Sequence, residues 1–154
     1  MAGKPEIHEK VVATNRRAWH DFEILERFEA GIALAGSEVK SLRLGRADLK
    51  ESYAEMAGGE LWLCQLHITP YQASPFSMPA LRRRKLLVRK AELNRLVGRV
   101  AHKGMTLVPL RLYFTARGWA KVEVGVAKGR RHADRRETIK KREAEREMRA
   151  IRVR

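Results

Sequence analysis

The sequence predicts a mainly β fold with short helices: a small antiparallel barrel, followed by a basic C-terminal tail that is helical when bound. Three observations carry this. Val122, Val124 and Val126 alternate with Lys121, Glu123 and Gly125, the period of two expected of a half-buried strand. Two stretches of strand formers are interrupted by glycine-bearing turns, the signature of hairpins. Residues 128–154 contain no Trp, Tyr or Phe, so they cannot bury enough apolar surface to form a core of their own.

The elements follow in chain order. Residues 1–12 are expected to be a flexible N-terminus. Trp19 to Leu34 reads as one long bent strand, with His20, Phe22, Ile24 and Phe28 on one side. A short helix comes next, with Ser37 as N-cap, Glu38 in the first turn, Val39 and Leu42 on one face and Gly45 at the stop. Ser52 to Ala57 and Glu60 to Leu66 form a hairpin across Gly58-Gly59, where paired glycines permit the positive φ of a tight turn. A second helix spans Ala91 to Ala101, with Leu93, Leu96, Val97 and Val100 at helical spacing and Gly104 closing the segment. It should cover one open side of the sheet. Val108 to Phe114 pairs with Val122 to Val126 across Thr115 to Trp119, and Pro109, which cannot donate to a ladder, requires an edge or a bulge. Five or six short antiparallel strands with two covering helices describe a small barrel, and the OB type belongs to that class. Residues 13–127 are its extent.

Composition narrows the function. The 154 residues suffice for one domain. Lys and Arg number 33 against 18 Asp and Glu, a net charge of +15, which concentrates polyanions and makes nucleic acid or an acidic membrane surface the default partner. The imbalance is densest in the tail, which carries 12 basic and 5 acidic side chains. Cys64 is the only cysteine, so an internal disulfide framework and a multi-cysteine metal site are excluded, and a reducing cytoplasm fits. No apolar leader and no stretch near the roughly 20 apolar residues of a membrane span is present.

Catalytic templates are absent: no phosphate-binding glycine loop, no His-Glu-x-x-His, no Gly-x-Ser-x-Gly. The five histidines are scattered. His20 and Asp21 are the one adjacent His-carboxylate pair, and in a strand they would point to opposite faces. Cys64, between Trp62 and Leu66, reads as a buried, inert thiol. The expectation is a protein that is not an enzyme and needs neither cofactor nor metal.

The remaining signals concern binding. Arg82-Arg83-Arg84-Lys85 follows the loop Pro70 to Pro79 and offers four cations to phosphate oxygens, or else a solvated loop. In the tail, Asp134 and Glu137 have capping-box spacing, and Glu137 to Lys141 and Glu145 to Arg149 are favourable helical pairs. A helix is encoded from about Arg135, marginal alone in water. Lys128-Gly129-Arg130-Arg131 precedes it as a flexible joint with three cations.

Several segments in joint order then resemble one family, the SsrA-binding proteins: Asn15-Arg16-Arg17, His20-Asp21-Phe22, Phe28-Glu29-Ala30-Gly31, Glu38-Val39-Lys40-Ser41-Leu42-Arg43, Ile68-Thr69-Pro70-Tyr71, Arg84-Lys85-Leu86-Leu87, Leu107-Val108-Pro109-Leu110, and Lys128 to Arg131 with Asp134 to Glu137. The resemblance covers about residues 13 to 149. It implies an OB-like barrel that grips the tRNA-like domain of transfer-messenger RNA and a tail that enters the decoding centre and empty messenger channel of a stalled small ribosomal subunit, against 16S rRNA. Alanyl-transfer-messenger RNA in complex with elongation factor Tu is the implied cargo, and the protein is implied to be cytoplasmic, with no membrane partner. Carried over by motif, the RNA-facing residues are Asn15, Arg16, His20, Glu29, Lys40, Arg43, Arg84, Lys85 and Leu87. The decoding-centre residues are Lys128, Gly129, Arg130, Arg131, Asp134, Arg135 and Arg136. Trp19 and Ala133 depart from the family pattern, in places where a basic residue and a stacking ring are common. The alternative is a ribosomal or general RNA-binding protein with the same barrel.

Overall fold

The computed structural model describes residues 9–129 and Arg146. Expectations for residues 1–8, for Arg130, Arg131, Asp134, Arg135 and Arg136, and for the tail helix lie outside the described residues. Nine strands and three helices occur among the rest: β1 (Lys10–Thr14), α1 (Arg16–Asp21), β2 (Phe22–Ile32), α2 (Gly36–Arg43), β3 (Ala47–Asp48), β4 (Tyr53–Ala57), β5 (Glu60–Cys64), β6 (His67–Ile68), β7 (Arg84–Leu87), α3 (Lys90–Val100), β8 (Met105–Phe114) and β9 (Ala120–Gly129).

Both expected hairpins form. Gly58 and Gly59 take φ of 61° and 75°, the left-handed pair that a two-residue turn between twisted strands requires, and Ala57 faces Glu60 across it. In the second, Phe114 faces Ala120, and the Thr115 amide donates to the Trp119 carbonyl at 2.9 Å. Pro109 sits at a bulge, where the β8–β9 register shifts between Pro109 and Arg111.

The sheet runs β1-β8-β4-β5-β7-β2-β9, and β9 returns to pair with β8. Six antiparallel strands thus close a barrel, the arrangement that removes exposed edges. One edge of β8 is shared: Leu107 pairs with β4, and Arg111 to Phe114 pair with β1. Alternation fills the interior with Phe28, Ala30, Val122, Val124, Leu86 and Leu112 among others. Each buried Leu or Val contributes about 1.5–3 kcal/mol, so this interior is the main source of stability. A smaller cluster, Ala18 with Val108, Leu110 and Ala127, lies on the outside of β8 and β9 under α1.

Four expectations need correction. The long strand does not begin at Trp19: α1 occupies Arg16–Asp21, capped by Asn15, whose Oδ1 accepts from the Ala18 amide at 3.2 Å. Six residues are under two helical turns, too few for a 3.6-residue period to show. Ser37 is not the N-cap of α2. The helix starts two residues earlier, with Ala35 at the cap position, the Glu38 carboxylate accepts from the Ala35 amide at 2.9 Å, and the Ser37 hydroxyl has no hydrogen-bond partner among the described residues. The N-terminal boundary moves too, because β1 is already in the ladder at Lys10, and β9 continues to Gly129, past the expected end at 127. Finally, α3 buries Leu96 against the barrel interior with Leu93 and Val100 alongside, whereas Val97 stays half exposed. Glu26 ties α3 to β2 through Arg95 and Arg99, the latter at 2.9 Å.

Candidate nucleic-acid interface

The outer face of the barrel is built by register. Phe28, Ala30 and Ile32 point inward, so Arg27, Glu29 and Gly31 point outward. Gly31 faces Leu87 of β7 and Lys121 of β9, and Glu29 faces Glu123. Across β9, Glu123 faces Arg111 and Lys121 faces Tyr113. On β7 the same alternation turns Leu87 and Lys85 outward and Leu86 and Arg84 inward, with Lys85 beside Trp62 of β5. Glu29, Leu87 and Lys121 are therefore neighbours around Gly31. That position is tight, since a Cβ there would lie 3.2 Å from the Leu87 Cβ and Leu87 would have to give way by a few tenths of an ångström.

The sites expected to face RNA divide into two groups. Arg16, His20, Glu29, Lys40, Arg43 and Leu87 are exposed, and Lys85 is half-buried. Arg16 and Arg43 side chains have no ion-pair partner among the described residues, and Lys40 lies 5.5 Å from the Tyr71 ring. Lys128 is exposed at the end of β9, opposite Glu23, with Gly129 opposite Phe22. The His20 imidazole is at the exposed end of α1, and its Nδ1 lies 3.1 Å from Asp21 Oδ1, so the expectation that these neighbours diverge is corrected by the helix.

Arg84 and Asn15 form the other group, and for both the expectation of an RNA-facing side chain is corrected. Arg84 is 0% exposed. Its Nε donates to Glu38 Oε2 at 2.5 Å, and its terminal nitrogens donate to the Leu66, Arg82 and Ala80 carbonyls at 2.6, 3.1 and 3.1 Å. Four of its five N–H donors are thus used inside the protein. Arg82 binds the same carboxylate. Burial pushes the Glu38 carboxyl up, but Arg82, the Ala35 amide and Arg84 outweigh it and hold the group below the usual glutamate value. Arg83 sits 4.8 Å over the Trp62 ring and 3.6 Å from Glu55, and Lys85 donates to Glu60 at 2.9 Å. The basic run is an ion-pair network more than a free cationic loop. Asn15 is buried because it pins α1 to the β8 bulge: its amide hydrogen and side-chain amide donate to the Leu110 and Pro109 carbonyls at 2.8 and 2.9 Å.

The structure adds residues that the sequence reading left out. Lys121 lies across Gly31 from Leu87, on the strand next to that of Glu29, and the same alternation that identified β9 as a strand places it outward with Glu123. Tyr113 donates its hydroxyl to Glu29. Arg111 lies 4.1 Å over the Tyr113 ring and is itself held by Glu123 at 2.7 Å and Glu9 at 2.8 Å. With Arg27 these groups line a shallow polar groove on the outer face. Cys64 is buried, its thiol pushed up to about 11 by burial and by Glu55, which leaves it protonated and unreactive at neutral pH. No cluster of three metal-ligating side chains occurs among the described residues, and none of their helices is long and apolar enough to cross a membrane.

The family model described as SmpB protein matches residues 12–153. The chain belongs to the SmpB family. It is 53% identical to an SsrA-binding protein of Carboxydothermus hydrogenoformans over 95% of this chain and 99% of that one. It is 54% identical to an SsrA-binding protein of Moorella thermoacetica, over 94% and 95%. Among solved structures it resembles a chain described under “tmRNA-SmpB: a journey to the center of the bacterial ribosome”, with a TM-score of 0.63 and 52% identity over 80% of this chain and 84% of that chain. For this member of the SmpB family, then, the mainly β fold and the joint motif order point to one family, while the buried Arg84 and Asn15 hold that fold together.

Proposed function

We propose that this chain binds the tRNA-like domain of transfer-messenger RNA and delivers it to stalled ribosomes in the cytoplasm, acting by binding and not by catalysis. The observation that carries the reading is the near full-length identity, above half, to SsrA-binding proteins. The outer face supports it chemically. Leu87 supplies apolar contact, Lys121, Arg16 and Arg43 supply phosphate contacts, and Glu29 supplies an acceptor for base amines or a 2′-hydroxyl, which is how folded RNA is told apart by shape. His20, exposed on α1, can stack or donate. Lys40 and Lys85 add positive charge at the margin.

In this reading Lys128 and Gly129 lead the tail off the barrel at the end of β9, and Arg130, Arg131, Asp134, Arg135 and Arg136 engage the decoding centre and 16S rRNA. A segment with 12 basic and 5 acidic residues competes for a channel that otherwise holds messenger phosphates. Elongation factor Tu with alanyl-transfer-messenger RNA is the complex delivered. The test has two arms. Transfer-messenger RNA should copurify with the protein from its own cells. Removal of residues 130–154, which leaves β9 whole, should keep that RNA bound and abolish peptide tagging on stalled ribosomes; full tagging by the truncated chain would overturn the two-part mechanism.

A further inference from the structure

Glu29 differs from the carboxylates that share its face of the barrel. On the same face Glu123 is paired with Arg111 and Arg27, and Glu9 with Arg111. Elsewhere Glu26, Glu38, Glu55 and Glu60 each hold at least one cation. Glu29 has no cation among the described residues, although the chain carries a net +15 and although Glu123, a like charge, stands directly opposite it. Its one partner among the described residues is the hydroxyl of Tyr113, a residue that is 1% exposed.

We propose that Tyr113 is a positioning residue for RNA recognition: its buried, neutral hydroxyl holds one oxygen of Glu29 and leaves the other, fully charged, aimed outward to accept a hydrogen bond from an N–H or O–H donor of the bound RNA. A cation in that place would orient the carboxylate equally well but would quench the charge that makes it a strong acceptor. The phenol orients without neutralising. Burial, then Glu29 itself, raise the Tyr113 hydroxyl well above the ordinary tyrosine value, so it remains a donor across the physiological range. Arg111 over the ring and Glu123 and Glu9 on Arg111 keep the phenol from turning away. This inference rests on the RNA-binding reading above and specifies how one of its contacts is selective.

The test uses the full chain and two RNAs of equal length, the tRNA-like domain of transfer-messenger RNA and an unrelated hairpin. Tyr113→Phe removes only the hydroxyl. It should weaken binding to the tRNA-like domain roughly tenfold, the scale of a lost hydrogen bond to a charged group. The hairpin should change less than about twofold, and the salt dependence should not change because no phosphate contact is lost. In a Glu29→Gln background the same substitution should have little further effect. Glu29→Asp, which keeps the charge but withdraws it from the hydroxyl, should lose selectivity as Tyr113→Phe does, and it decides the matter should the Phe variant fail to fold. Wild-type selectivity in Tyr113→Phe or in Glu29→Asp overturns the proposal, as does an undiminished effect of Tyr113→Phe on top of Glu29→Gln. If the wild-type chain itself shows no preference between the two RNAs, the RNA-binding reading fails instead.

Discussion

Glu38 and Glu29 are both glutamates in family motifs, nine positions apart in sequence and opposite in circumstance. Glu38 is buried at the start of α2 and shared by two guanidiniums, one of them wholly enclosed. Glu29 stands on the outer face with a phenol as its only partner among the described residues. The first carboxylate has its charge consumed inside the fold; the second keeps its charge available. A basic, RNA-binding protein therefore uses part of its arginine complement to hold its own barrel together, and charge counted along the chain overstates what reaches a ligand.

The difference can be broken from the buried side first. Arg84→Ala leaves Glu38 with Arg82 alone and takes a donor from the Leu66, Ala80 and Arg82 carbonyls, and should cost about 3–5 kcal/mol of folding stability, since each buried group left unsatisfied costs about 1–3 kcal/mol. Denaturant titration measures this, and a loss below about 1 kcal/mol would mean that Arg84 is not the structural member it looks to be. On the exposed side, Glu29→Arg replaces a negative charge with a positive one and so raises the net charge by two. Non-specific attraction predicts tighter RNA binding, whereas specific readout predicts selective binding weaker by about 1.5–3 kcal/mol. Stability should also fall, by about 1–3 kcal/mol, because the buried Tyr113 hydroxyl loses its acceptor. Gel-shift titrations at two salt concentrations separate the two outcomes.

Acidification sharpens the contrast without mutation. Glu38 titrates below its ordinary value in the folded protein, so the unfolded chain takes up the proton first as pH falls. Its contribution is fully present above the unfolded value of about 4.5 and is lost as pH drops through the lower folded value. Stability measured from pH 6 to pH 3 should fall, and Glu38→Gln should flatten part of that fall. The smallest effect belongs to Lys85→Ala. Its pair with Glu60 is partly solvated, with side chains 42% and 44% exposed, so stability should change by about 0–1 kcal/mol. Any larger change in RNA affinity would assign Lys85 to the interface, which thermal melts and titrations on one preparation can resolve.

Legibility in the sequence followed the range of the determining interaction. The β4–β5 turn was readable because two adjacent glycines state their own φ requirement, and the β8 bulge because Pro109 lacks a donor. The start of α1 was hidden, since Asn15 is a cap whose other two bonds go to carbonyls of β8, almost a hundred positions away. Ser37 looks like a cap by residue type, yet the helix begins before it, with Ala35 at the cap position and the Glu38 side chain reaching back to the Ala35 amide. In the run Arg82 to Lys85 the charges were legible and their directions were not. Period two was present, with Arg84 and Leu86 on one side, but nothing local says that a guanidinium goes inward. That depends on Glu38, which meets it only when α2 folds against β7.

The closure of the barrel by β9 has a consequence for synthesis. β9 is the last described strand, and it supplies the partner for nearly the whole length of both β2 and β8. Until residue 129 has been polymerised and released for pairing, β2 offers Phe22 to Gly31 as an unpaired edge and β8 lacks its hairpin mate. At about 5–20 residues per second, the nascent chain carries such open edges for seconds, and open edges are templates for wrong pairing. Folding is therefore gated by the C-terminal end of the body. A message cut before the codon for Gly129 would yield a protein that cannot seal itself, whereas one cut within the tail would yield a closed barrel.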